Sequence, residues 1–152
     1  MKLSIVGKSV VFIASVQLLL FTTGGVARAQ RPLPNPVPMF TGREVFVAGG
    51  KQMIRYRYTV INADTYPSEL FAAAPELPPC GTNTKASRTW VDIFDQSGKR
   101  LNGFCAFGKP GDLNKLWFAL ESGVIPPSWV YIEMTDRKTG TKYKSELSET
   151  TQ

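Results

Sequence analysis

The sequence predicts an all-β protein, an antiparallel β-sandwich of the immunoglobulin or fibronectin type III kind with about seven short strands and one disulfide. Three observations support this fold class. Apolar residues recur at every second position in several segments, turn residues separate those segments, and no long stretch shows helical periodicity. A small antiparallel barrel has the same kind of strand pattern and is the alternative.

The strand pattern is clearest in residues 52–62. There the apolar side chains fall on one face of the segment, while basic and hydroxyl side chains, among them Arg55 and Arg57, fall on the other. This alternation is typical of a strand with one buried face. Six further segments are predicted to be strands: 43–48, 88–95, 99–105, 115–120, 129–136 and 141–148.

Residues 88–95 and 99–105 are predicted to form a hairpin around the turn Gln96-Ser97-Gly98. A three-residue loop with glycine in the left-handed position is a common hairpin connection. This register matches opposite charges, two aliphatic side chains and two aromatic side chains across the strands: Asp95 with Lys99, Ile93 with Leu101, and Trp90 with Phe104.

Residues 129–136 and 141–148 are predicted to form a second hairpin, with residues 137–140 as its loop. A four-residue loop matches side chains better than a three-residue loop does. It predicts these pairs: Met134 with Tyr143, Glu133 with Lys144, and Val130 with Leu147.

Residues 63–87 contain four prolines and connect two strands without a regular strand pattern of their own. Cys80 in this segment and Cys105 are the only cysteines of the chain. A cysteine pair in a small domain is expected to form a disulfide in an oxidising compartment, here closing a loop whose constraint stabilises the fold by about 3 kcal/mol. Two buried thiols are the alternative.

The chain begins with features of a cleavable signal peptide. A basic start and a short apolar run precede the small-residue site Ala27-Arg28-Ala29, so residues 1–29 are predicted to be removed on export to the periplasm or the cell exterior. The run is too short for a membrane anchor, the alternative, and no membrane span is expected after cleavage. Residues 30–42 are then a proline-rich arm, either a spacer or a segment along a sheet edge, and residues 43–152 are a single β-sandwich domain.

The charge and composition argue against several functions. Since no acidic residue lies in the leader, the mature chain keeps 15 basic and 12 acidic residues, a net charge of +3 that does not indicate a nucleic-acid partner. The chain has no histidine, and bridged cysteines supply no thiolate, so we expect no enzyme and no catalytic residue. A match to a phosphate-binding loop at residues 103–109 is followed by Pro110, which opposes the helix that such loops need. No cofactor and no metal site are expected.

The first hairpin carries the candidate contact surface. In the predicted register one face holds Trp90, Asp92, Phe94 and Phe104, while aliphatic side chains hold the other. If the aliphatic face is the core, the four residues form an exposed patch suited to stacking on sugars or to contact with another protein. Alternatively, the aromatic side chains pack beneath residues 63–87, near Cys80.

Four runs of the sequence are distinctive: Leu-Pro-Pro-Cys-Gly at 77–81 and the segments 86–100, 116–120 and 130–137. Together they resemble small exported bacterial proteins to which no activity is assigned. The resemblance implies no activity and identifies no functional residue.

These observations predict an exported, non-enzymatic binding or accessory module. Its partner is unknown, and an envelope protein or a polysaccharide fits the aromatic patch. The alternative is an inhibitor of an exported hydrolase that presents residues 63–87 to the cleft of its target.

Overall fold

The structure, a computed structural model, describes residues 32–150, so the predicted signal peptide lies outside the described residues. Within them the chain forms eight β-strands: β1 (Pro38–Ala48), β2 (Lys51–Val60), β3 (Thr89–Asp95), β4 (Arg100–Phe104), β5 (Leu116–Glu121), β6 (Trp129–Asp136), β7 (Thr141–Lys144) and β8 (Ser148–Glu149). Short 3₁₀ segments lie at Ala63–Thr65, Ser68–Phe71 and Pro110–Lys115.

The strands form two antiparallel sheets. One has the order β1-β2-β5; the other has the order β4-β3-β6-β7, with β8 also paired to β6. The predicted antiparallel β-sandwich is confirmed, and the two separate sheets distinguish it from the barrel alternative.

The core lies between the two sheets. The alternating apolar residues of β2 supply Tyr56, Tyr58 and Val60, each about 1% exposed. The Tyr56 ring stacks on Phe118 of β5 with 4.9 Å between ring centroids. Opposite them lie the fully buried residues of β3 and β6, which are Val91, Ile93, Val130, Ile132 and Met134. The predicted half-buried strand at residues 52–62 therefore has its apolar face in the core.

The first hairpin has the predicted turn but not the predicted register beyond it. The Asp95 N–H donates to the Lys99 carbonyl at 2.9 Å, as predicted. A bulge at Leu101 then shifts the pairing, so that Ile93 faces Asn102 and Val91 faces Phe104. The predicted pairs of Ile93 with Leu101 and of Trp90 with Phe104 are therefore wrong.

The bulge is explained by the residue that it places opposite Asp92. In the observed register this residue is Gly103, and the Arg100 guanidinium crosses above it to bind the Asp92 carboxylate at 2.6 Å. A Cβ atom at position 103 would overlap with the Arg100 guanidinium. The same shift turns Phe104 toward the core, against which it packs together with Leu101.

The second hairpin confirms the predicted pairs of Met134 with Tyr143 and of Glu133 with Lys144. The pair of Val130 with Leu147 is wrong, because Val130 faces Ser148 and the predicted strand 141–148 is divided into β7 and β8. Ser145 causes the division: its hydroxyl accepts the Ile132 N–H at 2.8 Å, where a regular ladder would use a carbonyl. This division accounts for eight strands where about seven were predicted.

Residues 63–87, here called the crossing, pack against the sandwich instead of standing away from it. Tyr66, Leu70 and Phe71 are at most 4% exposed. The predicted disulfide is confirmed, and it joins Cys80 in the crossing to Cys105 just after β4. Buried apolar side chains and the disulfide therefore both hold the crossing against the sandwich.

A largely buried ion pair fastens Arg88, the residue that follows the crossing, to the second hairpin. Arg88 donates from Nε and Nη2 to the two carboxylate oxygens of Asp136, at 2.7 and 2.6 Å. Asp136 is only 4% exposed. The hydrogen bond from Arg88 is the main reason that the pKa of Asp136 lies below its ordinary value.

The described part of the predicted arm lies along the sandwich. β1 begins at Pro38, inside the segment 30–42 that the sequence assigned to the arm. Before it, the Tyr66 hydroxyl donates to the Pro34 carbonyl at 2.9 Å, and the Ile61 N–H donates to the Val37 carbonyl at 3.0 Å. Burial raises the pKa of Tyr66 to about 12, so this donor keeps its proton.

Candidate functional site

The face predicted as a contact surface is divided by the observed register. Trp90, Asp92 and Phe94 lie on the outer face of the five-stranded sheet, here called the central-hairpin face, and all three are half-buried. Phe104 does not share that face, because the bulge in β4 turns it toward the core. The predicted grouping of Phe104 with Trp90 is therefore wrong.

Trp90 is covered by the side chain of Arg137. The Arg137 guanidinium lies 4.2 Å from the centroid of the indole ring, and its Nη2 donates to the Pro78 carbonyl of the crossing. Trp90 thus lies beneath a side chain that is itself bonded to the crossing. The cation–π contact covers one face of the ring that a ligand would need.

Asp92 and Phe94 also have partners within the protein. Asp92 is bound to Arg100, and Phe94 stacks on Tyr131 with 5.1 Å between ring centroids. The ammonium of Lys144 lies 4.0 Å from the centroid of the Tyr131 ring. The central-hairpin face is therefore a mixed polar and aromatic surface on which Asp92 is paired with Arg100 and the Tyr131 ring is contacted by Lys144.

A cavity of about 330 Å³ lies at the three-stranded sheet, and we call it the cationic groove. β2 supplies Arg55 and Arg57, and β5 supplies Trp117, which is the residue directly opposite Arg57. The lining residues are Thr41, Arg55, Arg57, Asn114, Lys115, Leu116 and Trp117. Three of them are cations, and none of these described residues is acidic.

Arg55 is held between two aromatic rings. Its guanidinium carbon lies 4.5 Å from the Phe46 ring centroid and 4.7 Å from the Trp117 ring centroid. Strand alternation places all three side chains on the outer face of the sheet, and cation–π attraction favours this arrangement. The position of this charge is therefore fixed without a ligand.

Glu44 of β1 orients both arginines. One carboxylate oxygen accepts from Arg55 at 2.5 Å and the other accepts from Arg57 at 2.5 Å. These contacts, the Arg57 hydrogen bond first, keep the pKa of Glu44 below its ordinary value and the carboxylate ionised. The Arg57 side chain remains 52% exposed and has further N–H groups to offer.

A second cavity, of about 420 Å³, adjoins the groove, since both are lined by Lys115 and Leu116. We call it the adjoining cavity; its other lining residues are Gly103, Phe104, Cys105, Ala106, Phe107 and Asp112. The Phe104 ring meets Trp117 edge to face, with 6.0 Å between centroids. One of the four predicted contact residues thus lies at a cavity, although not on the predicted face.

The adjoining cavity differs in chemistry from the groove. Asp112 accepts the Gly108 N–H at 2.9 Å, which is the main reason that its pKa is lowered, and its other oxygen lies 3.3 Å from the Lys115 ammonium. Two phenylalanines and this ionised carboxylate line the cavity together with the shared Lys115. Hydrogen-bond acceptors and apolar rings therefore adjoin a groove lined by cations.

The groups in these two cavities can bind a ligand through charge and hydrogen bonds. Guanidinium and ammonium groups donate charge-assisted hydrogen bonds to carboxylate or phosphate oxygens. Among the described residues, no group of three or more His, Cys, Asp and Glu side chains is arranged to hold a metal ion. The same part of the chain contains no helix long and apolar enough to cross a membrane.

The sequence patterns did not predict the cationic groove. The alternation in residues 52–62 places Arg55 and Arg57 on one face, but it does not say which strand lies beside them. Their proximity to Trp117 depends on pairing between β2 and β5, which are separated by more than fifty residues. The indication that the sequence did contain was a pair of arginines on the outward face of one predicted strand.

Comparisons with known proteins identify no family for this chain. No protein-family model matches the sequence, and no curated protein matches it. Among solved structures, a chain of the human pre-T cell receptor crystal structure aligns with 75% of this chain and 97% of its own length, at 15% identity and a TM-score of 0.40. That score is too low to support a conclusion about this protein.

Proposed function

We propose that this protein is an exported, non-enzymatic binding module that holds an anionic ligand in the cationic groove. The observation that carries the proposal is the set of three cations, Arg55, Arg57 and Lys115, in the lining of one cavity. Their two acidic partners, Glu44 and Asp112, lie outside that lining, and three cations against two carboxylates leave one positive charge in excess. The chain has no histidine, and both cysteines are bridged, so the groups most used for proton transfer and nucleophilic attack are lacking.

Export is supported by two features of the chain. Residues 1–29 have the order of charge, apolar run and small residues that signal peptidase recognises. The disulfide of Cys80 and Cys105 is typical of an oxidising compartment, such as the periplasm or the cell exterior. Both features agree with a module that acts outside the cytoplasm.

Preorganisation of the arginines favours binding in the groove. Rotamer-rich side chains usually lose conformational freedom when a ligand immobilises them, at about 0.5–1.5 kcal/mol each. Arg55 is already fixed by two rings and by Glu44, which also holds Arg57. The two arginines have therefore already lost much of their conformational freedom before a ligand binds.

The surface proposed from the sequence is a weaker candidate than the groove. Trp90 is covered by Arg137, and Asp92 is neutralised by Arg100. Ligand contact at Trp90, Asp92 and Phe94 stays a prediction for the central-hairpin face, and contact at Phe104 becomes a prediction for the adjoining cavity.

An inhibitor that presents the crossing is the second candidate, and the packing gives it less support. Tyr66, Leu70 and Phe71 of the crossing are buried in the sandwich core. The disulfide holds Cys80 close to β4. These contacts favour a structural role for the crossing over insertion into a partner's cleft.

The proposal is tested by measuring the affinity of two polyanions, poly-L-glutamate and polygalacturonate, for the mature protein. In one variant, Arg57→Gln and Lys115→Gln remove two positive charges from the groove. In the control variant, Arg100→Gln and Lys142→Gln remove two charges from the five-stranded sheet, so the net charge is matched. All four side chains are more than half exposed, so we expect both variants to fold.

We expect at least one polyanion to bind the unmodified protein and the control variant, and the groove variant to bind about tenfold more weakly or worse, as loss of charge-assisted hydrogen bonds implies. Equal weakening in both variants would show that net charge alone governs binding. That result, or no binding of either polyanion, would contradict the proposed function.

A further inference from the structure

We infer that the anionic ligand is a linear polysaccharide in which a carboxylate-bearing sugar stands next to a neutral sugar, with the acidic unit in the cationic groove and the neutral unit in the adjoining cavity. This inference rests on the proposed function and assigns the ligand's chemical class. It is carried by the difference in lining between two cavities that share Lys115 and Leu116.

The acidic sugar fits the cationic groove because of the positive charges and the hydrogen-bond donors in its lining. Arg57 and Lys115 are exposed cations, and a sugar carboxylate is a planar acceptor of the kind that guanidinium groups bind. Asn114 accepts the Thr59 hydroxyl through its side-chain oxygen at 2.5 Å, which leaves its NH₂ group as a donor for a sugar hydroxyl.

The lining of the adjoining cavity favours a neutral sugar over an acidic one. Asp112 is paired with Lys115 in the same lining, so this cavity lacks the excess of positive charge that favours an acidic sugar in the groove. The Asp112 carboxylate can accept hydrogen bonds from the hydroxyl groups of a neutral sugar. The half-buried Phe104 adds aromatic surface, against which the C–H face of a pyranose ring can pack. The change from a lining with excess positive charge to one with a paired carboxylate and an aromatic ring thus matches a change from an acidic to a neutral sugar.

An extended acidic peptide fits this site less well. Peptides that bind along sheets gain much of their affinity by hydrogen bonding to a free strand edge. The groove lies over β2, which is already paired with β1 on one side and with β5 on the other. The groove floor therefore offers side chains instead of a backbone edge.

The inference is tested by titrating the mature protein with four probes of similar length in a calorimeter. The probes are a hyaluronan tetrasaccharide, in which acidic and neutral sugars alternate; tetragalacturonate, in which every sugar is acidic; maltotetraose, in which none is; and a tetraglutamate peptide. The titrations are repeated with Asp112→Asn, which removes the charge of the adjoining cavity, and with Asp95→Asn as a matched control away from both cavities.

We expect the hyaluronan tetrasaccharide to bind at least about tenfold more tightly than the other three probes. Asp112→Asn should reduce this preference over tetragalacturonate, and Asp95→Asn should not. Tighter binding of tetragalacturonate or of the peptide to the unmodified protein would overturn the inference and leave an anion-binding groove in place. Tighter binding of maltotetraose, or no binding of any probe, would overturn the proposed function as well.

Discussion

Asp136→Asn removes the charge of a buried carboxylate that joins the second hairpin to Arg88, the residue that follows the crossing. Four donors reach Asp136: Arg88 Nε at 2.7 Å, Arg88 Nη2 at 2.6 Å, the Lys138 N–H at 3.0 Å and the Thr139 hydroxyl at 2.9 Å. Asparagine keeps one side-chain oxygen and replaces the other with an NH₂ group. That group faces Arg88 Nη2 or Nε, so one of the two guanidinium bonds becomes a contact between donors.

The magnitude follows from these contacts. A hydrogen bond to a charged partner contributes about 1.5–3 kcal/mol to stability. Arg88 is 27% exposed along its side chain, so water can reach part of the guanidinium and limit the penalty. We therefore expect Asp136→Asn to lower the free energy of unfolding by about 2–3 kcal/mol at neutral pH.

Urea unfolding of the oxidised mature protein measures this change, and Glu133→Gln is the matched control. Glu133 lies on the same strand and pairs with Lys142 at 2.7 Å, but the Lys142 side chain is 61% exposed. A surface ion pair of this kind contributes about 0–1 kcal/mol, so the control should lose less than about 1 kcal/mol. Equal losses in the two variants, or a loss below about 0.5 kcal/mol for Asp136→Asn, would show that the Arg88–Asp136 pair does not stabilise the fold as expected.

The pH dependence gives a second check on the same residue. The pKa of Asp136 is lowered in the folded protein from an ordinary value of 3.8. The stabilisation from the carboxylate is therefore complete above the unfolded-state pKa and is lost as the pH falls through the lowered folded-state pKa. The difference between the unmodified protein and Asp136→Asn should be constant near neutral pH and shrink below about pH 4.

Three further predictions concern the disulfide, the core residue Val91 and the half-buried Trp90. Reducing the bond between Cys80 and Cys105, which are 25 residues apart, should lower stability by about 3 kcal/mol, as measured by urea unfolding with and without reductant; an unchanged midpoint would contradict it. Val91→Ala should cost about 2 kcal/mol because Val91 is fully buried. Trp90→Ala should cost a similar amount through lost packing beneath Arg137, whereas a cost below about 0.5 kcal/mol would place the ring in solvent.

The features that the sequence predicted correctly depend on local patterns. The turn at 96–98, the pair of Met134 with Tyr143 and the apolar face of β2 all follow from alternation and turn chemistry over a few residues. The disulfide followed from the number of cysteines. In each case, the residues that decide the structure are close in sequence or are the only ones of their type.

The features that the sequence did not predict depend on single residues acting across strands. Leu101 forms a bulge because Gly103 must lie beneath the pair of Arg100 and Asp92, and nothing local marks that position. Ser145 ends β7 by bonding the backbone of Ile132. Each shift moves every later side chain of the strand, which is why the predicted contact surface lost Phe104.

The cationic groove was not predicted for a related reason. It combines Thr41 from β1, Arg55 and Arg57 from β2, and Trp117 from β5, and only the strand order brings them together. Strand order depends on the total packing of both sheets and cannot be read from alternation in one segment.

The most direct test of the binding site is a map of backbone amide shifts in ¹⁵N-labelled mature protein during titration with the hyaluronan tetrasaccharide. We expect the largest shifts to cluster at Thr41, Arg57 and Asn114, around the cationic groove. Shifts concentrated instead at Phe94 and Tyr131, on the central-hairpin face, would contradict it.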